Sequence, residues 1–389
     1  MACGRLVLAQ VMDFFPRRQF DRIVRRYNGN KHIRNFTCYD QFLAMAFAQL
    51  TFRESLRDIQ SCLLSFRPKL YHAGFKGPVA RSTLADANES REWKIYADLA
   101  QALIKKAREL YAGEDIGFSF KEPIYAFDST TIDLCLSLFP WARFRKKKGA
   151  IKLHTLLDLR GAIPCFIWIT DGKVNDIRSL AQLNYEAGAY YVMDRAYIDF
   201  LHLYEITQSL AFFVVRGKHN LDYHRISSSP VERATGLRSD QTIRLRGPKS
   251  SKLYPQSLRR ITFRDPDSQK RFMFLTNNFQ LSPLTIAELY KSRWQIELFF
   301  KWIKQHLRIK AFYGNSPNAV KTQVWIAVST YLMILILKKQ LKIDRSLAEI
   351  LQILSLSLFE QVPIYDILTS FPVKTIDTTS CKPLNLFEI

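Results

Sequence analysis

The chain has 389 residues, with 57 Lys and Arg against 35 Asp and Glu, a formal net charge of +22 and a pI near 9.8. That surplus favours a polyanionic partner; a membrane surface would attract it too, but no basic amphipathic anchor or lipidation signal stands out. With 48% hydrophobic residues the chain can bury sizeable cores in two or three domains, and 14 glycines and 15 prolines are too few for long flexible linkers.

In chain order, the opening stretch MACGRLVLAQVMDFFPRR has a short apolar segment broken by Gln10 and Asp13 and lacks a signal-peptide layout, so a cytoplasmic protein is expected. Residues 37–52 (TCYDQFLAMAFAQLTF) and 53–66 (RESLRDIQSCLLSF) read as amphipathic helices, with Arg53, Arg57 and Asp58 between the apolar positions. Residues 80–111 predict a further helical stretch, with Ser82 or Thr83 placed to cap its start. Short basic helices in close succession suit a helix-turn-helix reader of duplex DNA, and on spacing alone suit a plain helical packing module equally well. The six cysteines, at 3, 38, 62, 135, 165 and 381, show neither a CxxC pair nor a zinc spacing and are expected to be reduced.

From residue 123 the pattern changes to strands at 123–128 (PIYAFD), 150–159, 162–170, 189–194 (AYYVMD) and 211–216, with helices expected at 177–187 and 199–210. The run Arg143, Arg145, Lys146, Lys147 and Lys148 suits either a phosphate contact or an exposed hairpin tip. His154, flanked by strand residues, reads as a satisfied core histidine. Residues 216–271 hold 14 Lys and Arg against 5 Asp and Glu, a local balance of +9. Broken by Gly and Pro turns, this stretch suits contact along a DNA backbone or a solvated surface loop. Residues 324–337 are the most apolar stretch, short for a bilayer and interrupted by Ser329 and Thr330, and read as a buried helix.

Three acids stand out by context. Asp128 closes the run IYAFD and Asp194 closes AYYVMD, and strand ends are where a packed sheet presents charged side chains to a ligand. Glu297 lies in YKSRWQIELFFKWIK, which reads as one helix. At about 100° per residue, Tyr290, Arg293, Glu297, Lys301 and Lys304 fall within an arc of roughly 80° aimed outward, while Leu289, Ile296, Phe299 and Ile303 take the core-facing arc. Converging carboxylates repel one another and call for hard divalent cations with oxygen ligands, magnesium by default. Two such ions roughly 4 Å apart activate a water or a sugar 3'-hydroxyl and stabilise the leaving oxygen of an in-line displacement at phosphorus, which is nuclease or strand-transfer chemistry. Arg293 suits a bidentate phosphate contact and Lys304 a point charge. Any one of the acids, taken alone, reads equally well as an ordinary surface or ion-paired residue. No GxSxG elbow, Walker motif or dinucleotide fingerprint is present, so neither a serine hydrolase nor an ATP or NAD cofactor is expected.

At these residues the chain resembles the DDE transposases of bacterial insertion sequences, specifically the insertion sequence four family. The family's signature of Tyr, two residues, Arg, three residues, Glu, six residues, Lys is met by Tyr290, Arg293, Glu297 and Lys304. Asp194 follows Asp128 by 66 residues and Glu297 follows Asp194 by 103, an interval that matches the family's insertion between the last core strand and the glutamate helix. FDSTTIDL around Asp128 and MDRAYIDF around Asp194 look like the family's other motifs, and SLRDI and RSTLADAN look like its N-terminal region. The likeness covers about residues 20 to 340. Asp133, Asp158, Asp171 and Asp176 are rival carboxylates, none combining a strand end with a family motif.

The resemblance implies an α/β fold with a ribonuclease-H-like catalytic core at 121–316 carrying a β-rich insertion at about 216–280. An all-helical DNA-binding domain at 1–120 would precede it and C-terminal helices at 317–389, a candidate dimerisation region, would follow. It implies that Asp128, Asp194 and Glu297 are the catalytic acids and the ligands of two Mg2+ ions, replaceable by Mn2+, and that Tyr290, Arg293 and Lys304 bind DNA. Water would nick the transposon end; the freed 3'-hydroxyl would attack the opposite strand, through a DNA hairpin, and later the target. The implied partners are double-stranded DNA, as terminal inverted repeats and as target, and a second copy of the chain in the paired-end complex, in the nucleoid-associated cytoplasm and with no membrane. Some relatives stabilise a flipped base with a tryptophan of the insertion; between Trp168 and Trp294 this chain has none. That leaves Tyr223 or Tyr254 to stack, or no hairpin route. Beside cut-and-paste transposition two readings stay open: a metal-dependent nuclease on the same core, and a domesticated DNA-binding protein that keeps the basic surface without the chemistry.

Overall fold

The computed structural model describes residues 4–370 apart from 119, 146, 147, 219, 267, 308 and 310. Cys3, Cys381, Lys146, Lys147 and the end of the 317–389 region lie outside the described residues. The helices are, in chain order, α1 (Val7–Val11), α2 (Arg17–Arg26), α3 (Cys38–Leu50), α4 (Leu56–Ser65), α5 (Arg81–Ser90), α6 (Lys94–Tyr111) and α7 (Phe200–Gln208). They continue with α8 (Pro248–Leu253), α9 (Pro283–Ser292), α10 (Trp294–His306), α11 (Pro317–Gln340), α12 (Leu347–Ser357) and α13 (Ile364–Thr369). The strands are β1 (Ile124–Leu134), β2 (Arg143–Arg145), β3 (Lys148–Asp158), β4 (Ile163–Asp171) and β5 (Tyr190–Met193). After them come β6 (Phe212–Arg216), β7 (Tyr223–Ser229), β8 (Leu237–Leu245), β9 (Leu258–Arg264) and β10 (Arg271–Thr276). By contacts, the described residues of 1–114, 132–150 and 300–374 form one unit and those of 115–131 and 151–299 another.

The first unit is mainly helical. Thr37 caps α3 in both directions: its hydroxyl accepts from the Asp40 N–H, and the Asp40 carboxylate accepts from the Thr37 N–H. Ser82 and Thr83 do not cap α5. That helix starts after Ala80 with no side-chain cap, and both residues lie exposed in its first turn. The 80–111 stretch breaks at Arg91, whose φ of −81° and ψ of 133° are extended. Its buried guanidinium donates to the carbonyls of Phe36 and Thr37 and to Gln41 Oε1, so the break satisfies a cation that continuous helix would have turned elsewhere. α4 and α5 pack together, but residues 66–80 separate them, a longer link than the three- or four-residue turn of a helix-turn-helix.

At the centre lies α11, apolar on every side and packed against α3, α5, α6 and α12, as a helix with no polar face requires. Ser329 and Thr330 are satisfied by donating to the carbonyls of Trp325 and Ile326, one turn back. By length and composition this 24-residue helix could cross a membrane, longer than the apolar sequence run suggested; 94% of its most apolar window is buried, as in a core helix. Arg143, Arg145 and Lys148 are exposed on the β2–β3 hairpin.

The second unit is α/β. Among the described residues its sheet runs β4–β3–β1–β5–β6–β10–β9–β8–β7. β1 as far as Phe127, β5 and β6 are parallel and read as near-continuous apolar runs because both faces of a parallel sheet are covered. β3 and β4 pair antiparallel, and from β6 onward every pairing is antiparallel. The described residues of 216–271 therefore extend the sheet and are not a solvated loop. Arg225, Arg238, Arg244, Arg246, Lys249 and Lys252 are exposed there. Arg259 is not: it is buried and pairs with Asp240 through Nε–Oδ1 at 2.9 Å and Nη2–Oδ2 at 2.7 Å. Tyr254 is fully buried with its hydroxyl 3.0 Å from that of Thr207, so it cannot stack on an extruded base; Tyr223 is half-buried beneath the Arg260 guanidinium.

The helix expected at 177–187 is a 3-10 turn, Asp176–Gln182, followed by extended Leu183. Local side-chain bonds compete with α-helix there: Asn175 Oδ1 accepts from the Ile177 N–H, and the Ser179 hydroxyl donates to the Asp176 carbonyl. The helix expected at 199–210 is α7, capped by Asp199.

Candidate active site

The parallel register between β1 and β5 runs from Ile124 opposite Tyr190 to Phe127 opposite Met193. The next residue after each of these is an acid, Asp128 and Asp194, so two acids of unrelated sequence context leave the same end of neighbouring strands, whose backbones lie about 4.8 Å apart. Asp194 follows the last residue of β5, as expected. Asp128 does not end its strand: β1 continues to Leu134, and only its pairing with β5 stops before Asp128.

α9 packs on β5 and β6 and brings Tyr290 to this end of the sheet. The Tyr290 ring lies against Phe274, and its hydroxyl donates to Asp194 Oδ1 at 3.2 Å. The helix expected through this region tightens at one point: α9 ends at Ser292 and α10 starts at Trp294, and Arg293 between them stays helical (φ −53°, ψ −30°) with three-residue hydrogen bonds from its N–H to the Tyr290 carbonyl and from the Ile296 N–H to its own. Leu289, Ile296, Phe299 and Ile303 are buried as the periodicity predicts. The polar arc, however, does not simply face outward. Tyr290 is buried, and the Arg293 side chain, 13% exposed, donates through Nη1 to Asp128 Oδ2 at 2.9 Å and through Nη2 to Glu297 Oε1 at 2.5 Å. Hence Asp128, Arg293 and Glu297 form one bridged group beside the Asp194–Tyr290 pair. Lys304, seven residues beyond Glu297 in sequence, is half-buried and belongs to the first unit.

Burial pushes the Asp128 carboxyl up to about 6, against the pull of Arg293 and with help from the Glu297 and Asp194 charges. Burial works to lower the Arg293 guanidinium, yet Tyr290, Asp128 and Glu297 hold it above its ordinary value. Burial raises the Tyr290 phenol to about 12. Among the described residues, no three His, Cys, Asp or Glu side chains stand close enough to hold a metal ion as they lie, because a guanidinium bridges two of the three acids.

Sequence reasoning missed the polar residues behind Asp128. Asp176, set aside as a rival carboxylate, accepts from Ser129 Oγ at 2.8 Å and Lys152 Nζ at 3.1 Å. Tyr197, packed on Phe127, has its phenol pushed up by burial and by the charges of Asp128, Asp176 and Asp194, so it lies among these acids. His154 is buried with Nε2 3.1 Å from Thr170 Oγ1, but its Nδ1 has no hydrogen-bond partner, so it is only half satisfied. The available signal was alternation: Lys152 and His154, two apart on β3, share a face. Asp158 and Asp171 instead accept from the backbone N–H groups of Arg160 and Lys173.

Residues 119–333 match a family described as the transposase DDE domain, and residues 3–76 match one described only as a domain of unknown function. A protein of Sinorhizobium fredii described as a candidate transposase, y4zB, is 33% identical over 286 residues, covering 72% of this chain and 77% of its own length. The transposase of insertion sequence element IS5377 from Geobacillus stearothermophilus is 31% identical over 57% of this chain and 59% of its own. That of element IS4SA from Synechocystis is 24% identical over 82% and 88%. A solved piggyBac transposase synaptic complex with hairpin DNA aligns with a TM-score of 0.49 at 10% identity, over 95% of this chain and 83% of that one. With its DDE-domain match covering more than half of the chain, and acids of that type gathered at one sheet end, this protein belongs to the DDE transposases of insertion sequences.

Proposed function

We propose that this transposase cleaves DNA at the terminal inverted repeats of its element and joins the freed ends to a target, using divalent metal ions held by Asp128, Asp194 and Glu297. The observation that carries the reading is the β1–β5 register, which sets Asp128 and Asp194 side by side with Glu297 joined to Asp128 through Arg293. The strand order β4–β3–β1–β5–β6, with the first strand central and its later partners parallel, supports a ribonuclease-H-like core.

An oxygen-only donor set suits hard cations such as Mg2+ or Mn2+. The guanidinium seated between Asp128 and Glu297 supports the fit, since both acids pair with one positive charge there. When bound, a pair of such ions supplies polarisation of the attacking and leaving oxygens. The chain's own residues do the rest. Tyr290 orients Asp194 through its hydroxyl, and the Ser129 N–H fixes Asp128 through Oδ1 at 2.8 Å. Arg293, once the acids are otherwise neutralised, is free to take a phosphate in a bidentate grip, and Lys304 adds a point charge farther along α10. The helices of residues 1–120 read the repeat, the exposed cations of the β7–β9 region lie along the backbone, and the helices after residue 317 pair two copies.

The test is a joining assay: a duplex carrying the element's terminal repeat is incubated with target plasmid and Mg2+. The reading expects plasmid covalently joined through the 3' ends of the repeat, and none in EDTA. Cleaved duplex that never joins would favour the nuclease instead.

A further inference from the structure

A buried polar cluster lies behind Asp128. Past Phe127, β1 no longer pairs with β5, so on that side the ladder does not hold the backbone of Asp128 and Ser129. Two other bonds do. The Ser129 N–H donates to Asp128 Oδ1 at 2.8 Å, which ties the rotation of the carboxylate to the Ser129 backbone. The Ser129 hydroxyl donates to Asp176 Oδ1, also at 2.8 Å, which ties Ser129 to the 3-10 turn following β4.

Asp176 is itself held. Lys152 Nζ, on a side chain 14% exposed, donates to the same Oδ1 at 3.1 Å and to the Val174 carbonyl at 3.1 Å. His154 closes another side. Its Nε2 lies 3.1 Å from Thr170 Oγ1. Its buried Nδ1, beyond hydrogen-bond distance of any partner, stands 3.6 Å from Asp176 Oδ1. Burial keeps the imidazole neutral down to about pH 4, so it does not compete as a cation.

We propose that Asp176, anchored by Lys152, is a positioning residue that acts through Ser129 to hold the Asp128 carboxylate in its metal-binding orientation; the inference rests on Asp128 being a metal ligand. Partners one step behind a ligand typically change metal affinity or activity 10- to 100-fold when removed.

The experiment is a titration of the full chain with Mn2+, followed by electron paramagnetic resonance without DNA, with circular dichroism to verify folding. Asp176→Ala and Ser129→Ala should each weaken Mn2+ binding roughly 10- to 100-fold. The double variant should be no weaker than the worse single, because both remove one bond. Ser129→Thr, which keeps the hydroxyl, should bind as wild type does. Wild-type affinity in Asp176→Ala, with binding lost in Asp128→Asn, overturns the inference and leaves the metal site standing. Wild-type affinity in Asp128→Asn overturns the metal site itself and this inference with it. Should Asp176→Ala not fold, equal affinity in Ser129→Ala and Ser129→Thr overturns the inference.

Discussion

Replacing Arg293 with Gln separates two roles that one side chain holds. In the metal-free chain its guanidinium neutralises Asp128 at 2.9 Å and Glu297 at 2.5 Å, on carboxylate side chains 22% and 34% exposed. A unit pair with charge centres about 4 Å apart is worth about 4 kcal/mol at an effective dielectric of about 20. The Glu297 share is discounted because that group is about a third solvated. Stranding the buried partner of such a pair costs about 3 to 5 kcal/mol, and about 3 is the reasonable figure here. If bound divalent ions restore the neutralisation that the guanidinium gave, the loss returns as tighter ion binding, and about 3 kcal/mol is roughly two decades in affinity. Arg293→Gln should therefore be less stable than wild type without metal, gain more in Tm on adding Mg2+, and bind Mn2+ up to about 100-fold more tightly. End cleavage should fall at the same time, because the phosphate contact is gone. Thermal unfolding with and without Mg2+, beside a Mn2+ titration, reads each quantity. Equal or weaker Mn2+ affinity in the variant would refute the competition between guanidinium and metal.

Two further outcomes follow from the same geometry. Asp128, raised to about 6, must lose its proton to bind a cation, so Mn2+ affinity and end cleavage should fall as pH drops below about 6. For stability the sign is the opposite: a carboxyl raised above its unfolded value stabilises the metal-free fold below the ordinary carboxylate range and loses that contribution as pH rises through 6. His154, lowered to about 4, opposes it, losing its contribution as pH falls from the ordinary histidine value toward 4, so ion binding is the cleaner readout. Cutting the buried pair on the sheet extension by Asp240→Ala strands Arg259 and should cost about 3 to 5 kcal/mol in denaturant unfolding; a cost under about 1 kcal/mol would mean that Arg259 finds water.

The apolar runs ending at Asp128 and Asp194 reveal the two central strands, because a parallel sheet covered on both faces leaves that pattern in the sequence. The onward course of β1 is hidden, since STTIDL is too polar to resemble a covered strand. Periodicity runs straight through Arg293, and the apolar positions on either side stay in phase because the chain there remains helical, tightened by one turn of three-residue hydrogen bonds. The inward turn of Arg293 follows only once Asp128 and Glu297 converge, which is a tertiary fact. Asp176 is hidden for the same reason, being an ordinary acid in a turn until Ser129 and Lys152 close on it.

The central claim, that Asp128, Asp194 and Glu297 form one catalytic set, is tested most directly by Mg2+-dependent cleavage of a duplex carrying the terminal inverted repeat, comparing wild type with Glu297→Gln. The account predicts cleavage by wild type, loss of cleavage in the variant, and an unchanged footprint on the repeat. Equal cleavage by both proteins would contradict it and remove Glu297 from the site.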